Sequence, residues 1–423
     1  MKRPGPTVRT REPCRIQVEI KFGAVDELVG PDHVVRTIDA IVGGLDLRPF
    51  ERRWKAVFGR AGKPVTSPRM LLTLWIYAVS QGVGSAREIE RRSRSDSAFA
   101  WIVADLKPSH DVIAAFRVQQ GEAFSKLLTD VVTALIDKGA LSIDVVAQDG
   151  TRIRANASAP SFRRKEALLE LREQARTHVE AVLTRGDDPE ASATAQTARA
   201  TKALDFQQRV EAALSTVEDL QVTTVAGENA RASTTDADAR VMKMADGGFR
   251  PAYNVQLAVA GDPTGGPSAI VGVRVTNVGS DLGSVTPMLD DVQARTGALP
   301  KKLLADANHS KLSCIEAAGQ RGVDVIAPTM KKRKGAKAPD KSSRRKLRID
   351  GPEVARWRVR MSTKEAKALY KQRAALVELK NAQIKSGFGL TQMPVRGLPR
   401  VLSTTLLYAL AMNVVHNAAA LMA

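Results

Sequence analysis

The stretch LSIDVVAQDGTRIRAN, residues 141–156, decides the fold. Its apolar and β-branched residues have no helical spacing, so a buried strand is expected over 141–149. The strand is expected to end on an acid, Asp149, and two arginines, Arg152 and Arg154, follow at once. On both sides of the stretch the hydrophobic period is that of a helix. An all-helical region therefore gives way here to a mixed α/β one.

Upstream, PRMLLTLWIYAVSQG (68–82) places Pro68 at a helix start ahead of a nearly continuous apolar body, the pattern of a central buried helix. SAREIERRSR (85–94) opens on Ser85 with Glu88 three residues later, a capping box. Arg87, Arg91 and Arg94 share one face of that helix, which either lies on DNA or is a solvated surface. SHDVIAAFR (109–117) and FSKLLTDVVTALIDKG (124–139) supply further helices. Residues 46–140 thus read as a compact helical, DNA-binding domain, and 1–45 as an unassigned segment.

Downstream, Leu168, Leu171, Ala175, Val179 and Val182 step by three or four, and RGDDPEAS (185–192) breaks the run. Residues 161–224 are therefore expected to form an inserted helical hairpin. AYNVQLAVA (252–260), the turn GDPTGG (261–266) and AIVGVRVT (269–276) read as a strand hairpin. A helix over 282–296 follows, with Ser280 and Asp281 placed to cap it. KKLLAD (301–306) is a strand ending on Asp306, before a helix at 310–320 and a strand at 323–328. KKRKGAKAPDKSSRRKLR (331–348) reads as a basic loop, and phosphate contact by Lys331, Lys332 and Arg333 is favoured over plain solvation. A last long helix is expected from Ser362, with Glu365 in a capping box, to Lys385.

Lys and Arg number 64 against 45 acids, a net charge of +19 that points to a polyanionic partner, most simply nucleic acid. Two cysteines, Cys14 and Cys314, exclude a disulfide framework or a cysteine-rich zinc module and suit a reducing cytoplasm. The N-terminus MKRPGPTVRTREPC has no apolar core of the kind a secretory signal carries. The apolar tail 401–412 is interrupted by Asn413, His416 and Asn417, short of the roughly 20 residues that span a bilayer. A buried C-terminal helix is expected there, with no membrane partner.

Three acids stand out by position: Asp149 and Asp306 at strand ends, and Glu378 in the last long helix. Strand ends of an α/β sheet are where ligands bind. Converging carboxylates would hold Mg²⁺, which takes a few carboxylates, water and phosphate oxygens. Two such ions about 3.5–4 Å apart activate a nucleophile and stabilise a leaving oxygen at a phosphodiester. Each acid also has an ordinary reading: a turn residue before Gly150, a helix cap, a solvated helix charge.

At this point the residues carry a resemblance. YAVSQGVGSAREIER (77–91), PSHDVIAAFR (108–117), DGTRIRANAS (149–158), LLADANHS (303–310) and YKQRAALVELKNAQIKSGFGLTQMPVRGL (370–398) occur in one order along the chain. Together they resemble the DDE-type transposases of bacterial insertion sequences that carry a helical N-terminal domain, over roughly residues 46–417. The resemblance implies an RNase H-like mixed sheet over 141–423, with the 161–224 hairpin inserted and an all-α domain in front. It implies DNA cleavage and strand transfer with Mg²⁺ or Mn²⁺, two ions, and Asp149, Asp306 and Glu378 as both catalytic residues and metal ligands. It implies a signature of Tyr370, Arg373 and Lys385 around the glutamate: Lys385 could touch phosphate, Arg373 is either a DNA contact or a salt-bridge partner, and Tyr370 reads equally as core packing. The implied partners are double-stranded DNA, as transposon ends and target, and a second copy of the chain on that DNA, in the cytoplasm. The alternatives are an RNase H-like nuclease without strand transfer and an inactive DNA-binding relative. The chain departs from the pattern at Asn308-His309 and at Lys380-Asn381. Asn308 can hold the positive φ of the glycine it replaces, and His309 is a smaller ring than the usual aromatic.

Overall fold

Val145 to Arg154 forms one strand (β1) in the computed structural model, which describes residues 23–51, 65–184, 192–262, 265–329 and 350–423. The strand starts later than 141 and continues five residues past Asp149, because an antiparallel neighbour pairs with it from Val146 to Arg154. That neighbour, Phe249–Gly261 (β3), also pairs antiparallel with Arg240–Lys243 (β2) and with Ser268–Thr276 (β4). On its other edge β1 pairs in parallel with Lys302–Leu304 (β5), and β5 pairs in parallel with Asp324–Ile326 (β6). The main path of the sheet is therefore β2-β3-β1-β5-β6, with β4 also on β3. Helices Val285–Thr296 (α9) and Leu312–Gln320 (α10) make the connections around β5, as parallel pairing requires.

Helices precede the sheet: Val34–Gly43 (α1), Pro68–Ser80 (α2), Ala86–Arg92 (α3), Ser97–Val103 (α4), His110–Gln119 (α5) and Gly121–Asp137 (α6). Helical structure thus begins before residue 46. Ser67 caps α2, with Pro68 in its first turn, and every residue from Met70 to Val79 is buried. Ser85 caps α3 by accepting from the Glu88 N–H. These helices and the sheet share one hydrophobic core rather than two. The element that joins them is Leu398–His416 (α14), which packs against α2, α5, α6 and β4. It is long and apolar enough to cross a membrane by composition, yet 72% of it is buried inside the protein. Asn413 is buried on it, and its amide bonds both the N–H and the C=O of Ile270 at 2.8 and 2.9 Å. The polar residue that interrupts the apolar tail thereby satisfies the backbone of β4.

The inserted hairpin is present as Lys165–Thr184 (α7) and Ala193–Thr223 (α8). It has its own small core of Leu168, Ala213, Leu214, Val217 and Ala232. Phe162–Arg163 and Ala232–Ser233 pair at its base.

Two capping expectations and one continuous helix are corrected. Asp281 does not cap α9, whose N-cap is Ser284; Asp281 is buried and accepts from Asn254 and Gln256 at 2.7 and 2.6 Å. The cap near 362 is Thr363, which follows Pro352–Ser362 (α11) and starts Lys364–Lys371 (α12). The run to Lys385 is then broken by a π-helical turn at Ala374–Glu378 before Leu379–Ser386 (α13). Such a turn inserts one extra residue into a helix and is often found at functional sites. The basic loop with Lys331, Lys332 and Arg333 lies outside the described residues.

Candidate active site

Ala147 on β1 pairs with Leu304 on β5, the last rung of their parallel ladder. Asp149 and Asp306 each follow that rung by two residues, so register alone sets them side by side. Asp149 is therefore inside β1, beside the point where the parallel ladder stops. Asp306 is past the end of β5 and caps the short turn Ala307–His309. Both side chains are partly buried, 20% and 24% exposed.

The two acids have opposite surroundings. Burial pushes the Asp149 carboxyl up, and the neighbouring Asp306 charge adds to this against the opposing pull of Arg373. Asp306 is held below the usual carboxylate range: burial pushes it up, but the His309 hydrogen bond and charge, Arg373 and Asn308 together outweigh it. Asn308 donates to Asp306 from its backbone N–H and its amide, both at 2.9 Å. His309 is fully buried, with Nδ1 2.5 Å from Asp306 and Nε2 3.2 Å from Gln256 Oε1. Asn308 and His309, one of the two places where the chain departs from the resembled pattern, are thus both hydrogen-bonded to the acid they follow. Asn308 does not hold a positive φ, since Ala104 is the one non-glycine residue with one among those described, and His309 is buried.

Glu378 is on the π-helical turn, 49% exposed, and ion-paired to Arg373. Arg373 reaches back to Asp149 Oδ1 at 3.4 Å and stacks its guanidinium 5.8 Å from the Tyr370 ring. One guanidinium therefore lies between Asp149 and Glu378, where the resemblance implies metal. Among the described residues no group of three or more His, Cys, Asp or Glu is gathered closely enough to hold a metal ion. Arg373 is a salt-bridge partner of the acids in this state. Asn381, on the helix after Glu378, donates to Asp149 Oδ2 at 3.1 Å.

An open groove of about 620 Å³ starts at Gly150, the residue after Asp149. Arg152 and Arg154 line it from β1, Lys385 from α13, and Lys243 and Arg250 from the β2–β3 hairpin. Its one acid, Asp246, is already paired with Arg250. Arg152 donates to the Gly279 carbonyl at 2.8 Å and lies 3.6 Å from Asp281. Arg154 and Lys243 make no ion pair among the described residues. Burial and the Arg152 charge push the Lys385 ammonium down, while Asp149 opposes them. The α3 arginines lie elsewhere: Arg91 is paired with Glu88, and Arg87 lines a smaller cavity with His110, Arg117 and Tyr408.

Residues 24–119 match the family profile described as Transposase domain (DUF772). Residues 331–417 match the one described as Transposase DDE domain, a span that includes Arg373, Glu378, Asn381 and Lys385. The chain belongs to the DDE-type insertion-sequence transposases. No curated protein and no solved structure matches it. Transposases act on DNA, and the DDE family generally uses divalent metal ions.

Three features of the candidate site escape a reading of residues alone. Asn254 and Gln256 alternate along a buried strand, and their polar side chains there were the available sign that β3 faces a buried partner, Asp281. Lys243 and Arg250 are ordinary surface charges until the β2–β3 pairing brings them to the groove. Asn381 gives no sign in sequence beyond its departure from the family pattern.

Proposed function

We propose that this transposase binds the ends of its element and cuts and joins DNA at Asp149 and Asp306. The observation that carries this reading is their side-by-side placement at one ladder end, with a cationic groove opening one residue away. The strand path β4-β3-β1-β5-β6, antiparallel on one side of β1 and parallel on the other, supports an RNase H-like catalytic body. The donors fit Mg²⁺ or Mn²⁺: two adjoining carboxylates and a buried amide oxygen on Asn381 that has no hydrogen-bond partner are hard oxygen ligands. Asp149 and Asp306 would hold one ion, and a second would need Glu378 in place of its pairing with Arg373. A bound divalent ion supplies charge stabilisation at the scissile phosphate and a more acidic water.

The chain's own residues hold the DNA. Arg154, Lys243 and Lys385 offer cations to successive phosphates along the groove, and Arg152 is fixed at its floor. Positioning and charge are most of what phosphoryl transfer asks of a protein. Water attacks phosphorus, the bond to the 3′ oxygen breaks, and the strand leaves as a 3′-hydroxyl. That hydroxyl then attacks a target phosphodiester and displaces its 3′ oxygen. Two ends need two catalytic chains, so the DNA-bound form is a homodimer on double-stranded DNA.

The test is a plasmid carrying the element's ends, incubated with the full chain with Mg²⁺ and with chelator. Mg²⁺-dependent nicked and strand-joined products are expected. Nicks without joining would leave a nuclease, and DNA binding with no turnover would leave an inactive relative.

A further inference from the structure

Six buried side-chain nitrogen or oxygen atoms among the described residues have no hydrogen-bond partner. Three of them belong to residues next to Asp149: Gln148 precedes it in β1, Arg373 Nη1 is ion-paired to it at 3.4 Å, and Asn381 donates to it. Leaving a buried polar group unpaired costs about 1–3 kcal/mol, and an orphaned acceptor marks a place where a donor or cation belongs.

Asn381 is the most informative of the three. Its side chain is 8% exposed, and its amide is oriented by Asp149, which takes the N–H end at 3.1 Å. A carboxylate, here also 3.4 Å from the Arg373 guanidinium, can accept only from the amide nitrogen, so Oδ1 is left without a partner. With a cation on Asp149, half a turn of the amide would exchange the two ends. It would put a neutral hard oxygen where the nitrogen now stands, beside Asp149. Among the described residues no other hydrogen bond holds the amide in its present orientation.

We propose that Asn381 is a ligand of the divalent ion held by Asp149 and Asp306, supplying its side-chain carbonyl oxygen by a turn of the amide. This rests on the reading of Asp149 as a metal ligand. It gives the site a third protein oxygen while Glu378 remains paired with Arg373. It also gives a role to a residue at which the chain departs from the transposase pattern it otherwise follows.

The experiment is Mn²⁺ binding to the full chain, followed by the loss of the free-ion paramagnetic resonance signal, with the thermal midpoint of each metal-free variant as the fold control. Asn381→Leu keeps the volume and removes both polar ends; Asn381→Ala serves if the leucine variant does not fold. Either is expected to weaken Mn²⁺ binding by about tenfold or more. Asn381→Asp, which offers oxygen but no N–H, is expected to restore it. If the leucine or alanine variant binds Mn²⁺ as tightly as the parent, or if aspartate fails to rescue, Asn381 is only a hydrogen-bond donor to Asp149 and the proposal is wrong. Asp149→Asn separates the two levels: if it binds Mn²⁺ as the parent does, the metal site itself is misplaced and this inference falls with it.

Discussion

Gly150 occupies a position that a larger residue would disrupt. A Cβ there would lie 2.2 Å from Gln256 Nε2, 2.5 Å from Asp281 Oδ1 and 2.9 Å from Asn254 Oδ1. Those three side chains are hydrogen-bonded to one another and buried, so they cannot simply swing into solvent. Gly150→Ala is expected to destabilise the chain by about 1–3 kcal/mol through overpacking, read as a lowered midpoint in denaturant. Because Gln256 also bonds His309, which bonds Asp306, metal binding should weaken in the same variant. A variant as stable as the parent would mean that the network is looser than drawn. At this scale Asp149 and Asp306 are legible in sequence, since each follows an apolar strand run that locates it. Asn381 and Gln256 are not, because a polar residue on a helix or strand reads as solvated until its neighbours are known.

Two elements carry separable tests. In α3, hydrogen bonds and charge from Arg91 and Arg92 hold Glu88 down at about 2, below its ordinary 4.5. A depressed folded value means that this contribution is present above pH 4.5 and is lost as the pH falls through about 2. Glu88→Gln should flatten that part of the acid unfolding curve. The effect should shrink in high salt, because the pair is at the surface. The β2–β3 hairpin lines the groove, and its Lys243 makes no ion pair among the described residues. Lys243→Ala should weaken binding uniformly across DNA sequences and reduce the salt slope by about 1. A change confined to one DNA sequence would instead indicate base contact. The hairpin insert and the succession of β1, β3, β4, β5 and β6 along the chain are readable from period changes, whereas the short β2 is not. The π-helical turn at Ala374–Glu378 is not, because one extra residue in a helix barely disturbs its hydrophobic period.

At the scale of the whole molecule, the helical N-terminal part is not an independent body. Phe124, Leu127, Leu128, Val131, Val132 and Leu135 of α6 are buried, and the helix packs on α14 and β4 from the far end of the chain. Calorimetry of the full chain should therefore show one main unfolding transition for helices and sheet together. Two well-separated transitions for them would contradict a shared core. The sequence division at about residue 140 marks a change of secondary structure, and it hides this continuity because long-range packing leaves no local mark.

The claim on which the rest depends is that Asp149 holds the ion that cuts DNA. Asp149→Asn preserves shape and removes the charge. It should abolish Mg²⁺-dependent cleavage of end-bearing DNA while the same protein still binds that DNA with the parent's salt-dependent affinity. Cleavage by this variant at the parent's rate would contradict the account.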